Sequence, residues 1–109
     1  MRHLYGYFSK KQIKSTKEYL RKRIFFLLVC VDPNTSEGLE YVDVNACFKG
    51  LLYKIGGLNK LLRRPPELVT ALSLLQSAQM EYNSQHFEFE NYKMLILEAG
   101  AEIGKIKEV

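Results

Sequence analysis

Apolar side chains recur three, four and seven residues apart in four successive segments of the 109-residue sequence. This spacing constrains the fold more than any other feature, because such residues share one face of an α-helix, whereas a half-buried strand alternates at every second residue. We therefore predict an all-α fold, a small antiparallel bundle of about four helices, in which residues 1–109 form a single domain.

The four predicted helices each present one apolar face. The faces of the first two are Ile13, Leu20, Ile24, Leu27, Leu28 and Val31, and then Val44, Phe48, Leu51, Leu52, Ile55, Leu58 and Leu62. The faces of the last two are Leu68, Leu72, Leu75 and Gln79, and then Phe89, Tyr92, Ile96, Ala99, Ile103 and Ile106. The last set has the regular seam spacing of helical bundles.

Turn-forming residues mark the helix boundaries. Ser9 and Asp43 are predicted N-caps, the segment 32–38 is the main loop, and Pro65-Pro66 starts the third helix. Gly56-Gly57 predicts a kink, a break or a close backbone approach within the second helix. A minority alternative is an α+β fold with a β-hairpin around residues 25–44, since β-branched and aromatic residues flank the loop.

Composition and cysteine usage indicate the compartment. With 47% apolar residues the chain can close a core without metal or disulfide cross-links. Cys30 and Cys47 lie in apolar runs and are expected to be buried thiols in a reducing environment, although a disulfide between them stays open. We expect a cytoplasmic protein, because the first eight residues do not resemble a secretory signal and the apolar run 24–31 is too short to cross a bilayer.

Candidates for metal binding and catalysis are weak. One loop set matches positions one, three, five, nine and twelve of a calcium-binding loop: Asp32, Asn34, Ser36, Glu40 and Asp43. The sixth position, where that loop needs glycine, is Glu37, so we expect an ordinary capped loop. His3 and His86 lack partners at metal-ligand spacing, and neither cysteine lies in an exposed, electropositive setting. We expect no metal, no cofactor and no enzymatic activity.

Charge is distributed unevenly along the chain. Residues 1–64 hold 13 Lys and Arg against 5 acids, and residues 65–109 hold 3 against 7, so the two parts carry +8 and −4. The basic candidates for contact with a partner or with phosphate are Lys10, Lys11, Lys14, Lys17, Arg21, Lys22, Arg23, Arg63 and Arg64. The structural alternative is a solvated face whose cations pair with the glutamates at 88, 90, 98 and 102.

Small residues on the last helix permit another helix to approach closely. The candidates for helix packing or oligomer contact are Tyr92, Ile96, Gly100, Ile103 and Gly104. The approaching helix belongs either to the same bundle or to a second copy. Apolar side chains off the predicted faces strengthen the case for a partner or a homodimer: Phe26, Leu61, Leu74, Met94 and Leu95.

These features favour a small helical protein–protein interaction module, acting as an adaptor, regulator or inhibitor through the basic and apolar surface of the first helix. The protein partner is not identified by the sequence, and self-association is a further expectation. The alternative is a nucleic-acid-binding accessory protein that uses the basic first helix to contact phosphates. No membrane association is expected.

Overall fold

The computed structural model describes residues 2–3, 6–7, 10–62 and 64–106. Its helices are α1 (Lys10–Val29), α2 (Val44–Leu61), α3 (Pro66–Tyr82) and α4 (Phe89–Gly104). Ahead of them, the two-residue strands β1 (Arg2–His3) and β2 (Gly6–Tyr7) pair in antiparallel orientation. The predicted all-α bundle of about four helices is confirmed.

α1 ends where the turn-forming sequence begins. Its predicted apolar face is buried up to Leu28, and Val31 lies half-buried against the core. The N–H groups of Val31 and Asp32 both donate to the carbonyl of Leu28, which closes the last turn. Ser9, the predicted cap at the other end, lies outside the described residues.

The minority prediction of a β-hairpin around residues 25–44 is wrong. Phe25 to Val29 belong to α1, and residues 30–43 form turns that lead directly into α2. Asp32 accepts a hydrogen bond from the Asn34 N–H through its own side chain, and Gly38 adopts a left-handed φ of +84°. The apolar period of α1 therefore outweighs the local β-propensity of its last turns.

α2 starts at the predicted cap and runs through the glycine pair without interruption. Asp43 Oδ1 accepts a hydrogen bond from the Ala46 N–H at 3.0 Å. A Cβ built at Gly56 or Gly57 would have no heavy atom within 4 Å, apart from their chain neighbours and the backbone of α2 itself. The pair therefore neither breaks α2 nor marks a close approach.

α3 starts at Pro66, as predicted, and its buried face is shifted toward the alanines that flank the predicted face. The buried residues are Leu68, Ala71, Leu75 and Ala78, whereas Leu72 and Gln79 are only half-buried. Leu72 still packs against the core, so the predicted face is wrong only at Gln79. Small residues occupy the contact instead, because they let a neighbouring helix pack closely.

Neighbouring helices run antiparallel. The Tyr92 hydroxyl near the start of α4 donates to Leu27 O near the end of α1, while Gly100 lies opposite Ile24. Between α2 and α3, Gln79 and Asn83 at the end of one helix form amide hydrogen bonds with Asn45 at the start of the other. α4 packs against α1 and α3, and α2 packs against α3 and α1.

Tyr92 is the largest side chain with no solvent exposure. Its ring packs against the ring of Phe48 at a centroid distance of 6.3 Å, and against Tyr82 and Phe87 at 6.1 and 5.8 Å. Burial raises the pKa of Tyr92 well above its ordinary value, and the nearby Tyr82 hydroxyl and the two thiols raise it further. The phenol is therefore held in its neutral, donating form.

Among the described residues, no helix is both long enough and apolar enough to cross a membrane.

Candidate functional site

An open groove of about 530 Å³ runs between α1 and α4. Its floor is formed by Ile24 and Ile96, which are buried, and by Gly100. Phe25 stands on the α1 side and Leu97 on the α4 side, with 55% and 48% of their surface exposed. The groove therefore exposes a sizeable apolar surface on the outside of the bundle.

Gly100, which has no side chain, is one of the residues that line this depression. A Cβ built at Gly100 would lie 3.9 Å from Ile24 Cγ2, an ordinary van der Waals distance. Ala101, the next residue, is exposed and also small. Two small residues opposite the large Phe25 thus leave space that the bundle itself does not fill.

The α1 rim of the groove is mainly basic. Arg21 and Lys22 line it together with Glu18. Lys14 precedes Glu18 by one turn and lies on the same side of α1. Within the described residues, no carboxylate lies within 4.0 Å of Lys14, Arg21 or Lys22. An apolar floor and a surplus of unpaired cations thus meet in one place.

Two of the predicted contact cations face the carboxyl end of α4. Lys17 Nζ donates to Ile106 O at 2.7 Å, and the Arg21 guanidinium lies 3.7 Å from a Cβ built at Gly104. The last carbonyls of a helix lack intrahelical partners and carry partial negative charge, so cations stabilise this end. Lys17 therefore contributes to the fold through this hydrogen bond.

Arg23 belongs to a different side of α1, next to α2. Lys54 Nζ donates to the Tyr19 hydroxyl at 2.7 Å and lies 4.7 Å from the ring centroid. This hydrogen bond has the largest effect and lowers the pKa of Tyr19; burial opposes it, and the charges of Lys54 and then Arg23 lower the pKa further. The basic residues of α1 therefore do not form one continuous patch.

The other predicted basic residues lie outside the groove lining. Lys11 is exposed at the start of α1, and the backbone of Lys10 forms its first residue. Arg64 is exposed after α2, with a left-handed φ of 57° and its N–H donating to Asn59 O. Arg63 lies outside the described residues.

The predicted pairing of α1 cations with glutamates of the last helix is not found among the described side chains. The ion pair that these side chains form within 4.0 Å is Lys105–Glu102, at 3.1 Å within one turn of α4. Among the described residues, Lys14 and Lys22 of α1 are thus exposed and form no ion pair with α4.

The predicted packing residues of α4 lie in the core or face α1. Tyr92, Ile96 and Ile103 are at most 1% exposed and lie inside the bundle. Gly100 and Gly104 face α1, opposite Ile24 and Arg21 as described.

Sequence reasoning missed Phe25 and Leu97, the two exposed apolar side chains of the groove. Each lies about a quarter turn off the buried face of its helix, next to Ile24 and Ile96 respectively. The sequence offered one indication of such exposed residues, namely that each is a large apolar residue next to the periodic apolar face and not on it. That the two would face one another depends on the pairing of α1 with α4, which the period does not specify.

The loop and the cysteines show no arrangement typical of a metal or a nucleophile. Within the described residues, no three His, Cys, Asp or Glu side chains are placed to hold a metal ion. Cys30 and Cys47 are half-buried free thiols. Burial raises the pKa of Cys30, and the neighbouring Cys47 raises it further, which lowers its thiolate fraction.

In comparisons with protein-family models, curated proteins and solved structures, nothing matches this chain significantly. The groove and its charges are therefore the starting point for function.

Proposed function

We propose that this chain is a small helical protein–protein interaction module that acts as an adaptor, regulator or inhibitor and binds its partner through the α1–α4 groove. The observation that carries the proposal is the exposed pair Phe25 and Leu97 on either side of a groove floored by Gly100. Apolar side chains beside a pocket are typical anchors of protein interfaces.

The energetics favour a partner that covers more than these two side chains. Burying their exposed halves contributes roughly 1–1.5 kcal/mol each, about half the value for complete burial. Association costs several kcal/mol in lost translational and rotational freedom. A stable complex therefore also requires the groove floor and the charged rim, which lie within the same surface.

Site-specific photo-crosslinking tests the proposal. A benzoylphenylalanine in place of Phe25, in the full chain inside its host cell, should give a discrete protein adduct. The same amino acid in place of Tyr53, which is 83% exposed on α2, should not give that adduct. The substitution Ala101→Glu should remove the adduct by placing a charge in the groove, while Ser73→Glu on α3 should leave it unchanged.

Identical adducts from positions 25 and 53, or an adduct insensitive to Ala101→Glu, would contradict a groove-specific partner. No adduct from position 25 under conditions where the chain is folded would contradict it as well. Circular dichroism of each variant separates loss of binding from loss of structure.

Nucleic-acid binding is the second candidate, and the unpaired cations of α1 favour it. Lys11, Lys14 and Lys22 are exposed and have no carboxylate within 4.0 Å among the described residues. Each phosphate contact contributes about one unit to the slope of log affinity against log salt concentration. Titration with mixed DNA and RNA fragments should then show a slope that falls by about three in the triple alanine variant of these lysines. Salt-insensitive or absent binding would exclude this candidate.

A further inference from the structure

Resting on the proposed function, we infer that the occupant of the α1–α4 groove is one amphipathic helix of an acidic protein partner. Its apolar side chains enter between Phe25 and Leu97, and its carboxylates face the lysines along the α1 rim. The inference rests on the shape of the groove, the direction of its exposed apolar surface and the sign of its charge.

The shape of the groove fits a helix. Two antiparallel helices with a small-residue gap between them present the same kind of surface that neighbouring helices of a bundle offer to a further helix. Met94, three residues before Leu97 and 55% exposed, extends the apolar surface along α4. Apolar residues spaced three, four and seven apart on a partner helix would contact such an elongated strip.

The charge of the rim distinguishes an acidic partner from a second copy. Along the groove side of α1, Lys14, Arg21 and Lys22 stand against the single carboxylate of Glu18. A second copy bound through the same face would bring the same surplus of positive charge, and like charges across an interface oppose association. Carboxylates on the partner would meet unpaired cations instead.

Two designed helical peptides test the inference with the full chain. Both carry leucines three, four and seven residues apart; the flanking positions are glutamate in one peptide and lysine in the other. Fluorescence anisotropy at low salt should show micromolar binding of the glutamate peptide and at least tenfold weaker binding of the lysine peptide, roughly the effect of reversing a few rim charges. Added salt should reduce the difference.

Variants of the chain locate the binding. Leu97→Glu should abolish binding of the glutamate peptide, and Lys22→Glu should weaken it about three- to tenfold, because an exposed attraction becomes a repulsion. Lys60→Glu makes the same charge change on α2, outside the groove lining, and should leave binding within about twofold of the unchanged chain. Thermal melting confirms that each variant is folded.

The remaining outcomes contradict the inference in distinguishable ways. Equal binding of both peptides, lost in Leu97→Glu, overturns the acidic chemistry and leaves the proposed function intact. Absence of peptide binding while the crosslinked adduct from position 25 persists overturns the helical occupant alone. A dimer in sedimentation that Leu97→Glu dissociates assigns the groove to a second copy. Displacement of the glutamate peptide by oligonucleotides assigns the rim to nucleic acid.

Discussion

The substitution Tyr92→Phe isolates one hydrogen bond at the centre of the bundle. The Tyr92 hydroxyl donates to Leu27 O at 2.7 Å, in a fully buried setting. Leu27 is among the last four residues of α1, and the Val31 N–H that would bond it in a continuing helix donates to Leu28 O instead. The tyrosine thus satisfies a carbonyl that the helix end leaves without its usual partner.

Phenylalanine keeps the ring and removes only this donor. The cost of leaving a buried carbonyl unsatisfied is about 1–3 kcal/mol of unfolding free energy. For a domain of this size we expect a fall in Tm of roughly 4–12 °C. Calorimetry and urea unfolding measure the change, and Tyr53→Phe, at a residue 83% exposed, serves as the control and should stay within about 0.5 kcal/mol.

The same hydroxyl predicts a dependence on alkaline pH. Because the pKa of Tyr92 is raised in the folded state, the unfolded chain loses this proton first, near pH 10. The stabilisation is complete below about pH 10, and it declines above that pH by up to about 1.4 kcal/mol per unit. Tyr92→Phe should remove the contribution of Tyr92 to this slope and leave that of Cys30, whose pKa is also raised, while Tyr53→Phe keeps both. Equal stability and equal slopes in the two variants would refute the reasoning.

Three backbone predictions concern the helix ends and glycines. Asp43→Ala should lower the unfolding free energy by about 1 kcal/mol, because it removes the α2 cap on the Ala46 N–H. The control Glu40→Ala, at an exposed loop residue, should change it by less than about 0.5 kcal/mol. Equal effects of the two substitutions would argue against the cap. Gly56→Ala should raise the unfolding free energy by about 0.5–1 kcal/mol, since the site is helical and open. Gly38→Ala should lower it by about 1 kcal/mol or more, because its φ is left-handed. Urea unfolding measures all three, and a loss of stability in Gly56→Ala would reveal a contact at that position.

The fold class and the buried face of α4 could be predicted from the sequence, because both depend on the three- and four-residue spacing of apolar side chains. Tyr92, Ile96, Ala99 and Ile103 are buried as their spacing predicts. The cap at Asp43 was also readable, since a short carboxylate before an apolar segment forms the same local hydrogen bond wherever a helix starts. Local chemistry and local spacing sufficed for these features.

The buried face of α3 was harder to predict from the sequence. Hydropathy ranks large apolar side chains above small ones, whereas helix packing can favour the small ones. Leu72 is more apolar than Ala71, yet the alanine is buried, since Ala71 and Ala78 allow closer packing between helices. Gln79 instead donates its amide to Asn45 of α2. Which neighbour each side chain meets is a property of the tertiary arrangement.

The candidate site was predicted as two unrelated sets. Arg21 and Lys22 belonged to a basic stretch, and Ile96 and Gly100 to a packing stripe on a distant segment. The pairing of α1 with α4 places them along one groove, and no local feature of either segment specifies that pairing. The apolar period fixes which face of each helix is inward but not which helix lies next to it.

One position that lines the groove, Gly100, has no side chain. A single methyl group at Gly100 would be in van der Waals contact with Ile24, and a larger side chain would have to occupy part of the groove that Gly100 lines. Substitutions of Gly100 by alanine, valine and leucine would fill the groove stepwise. Binding of large side chains would be lost before binding of small ones, so the series would measure the size of the side chain that the groove accommodates. Under the proposed function, a homologous chain that differed only at this position would select its binding partner by the size of one side chain.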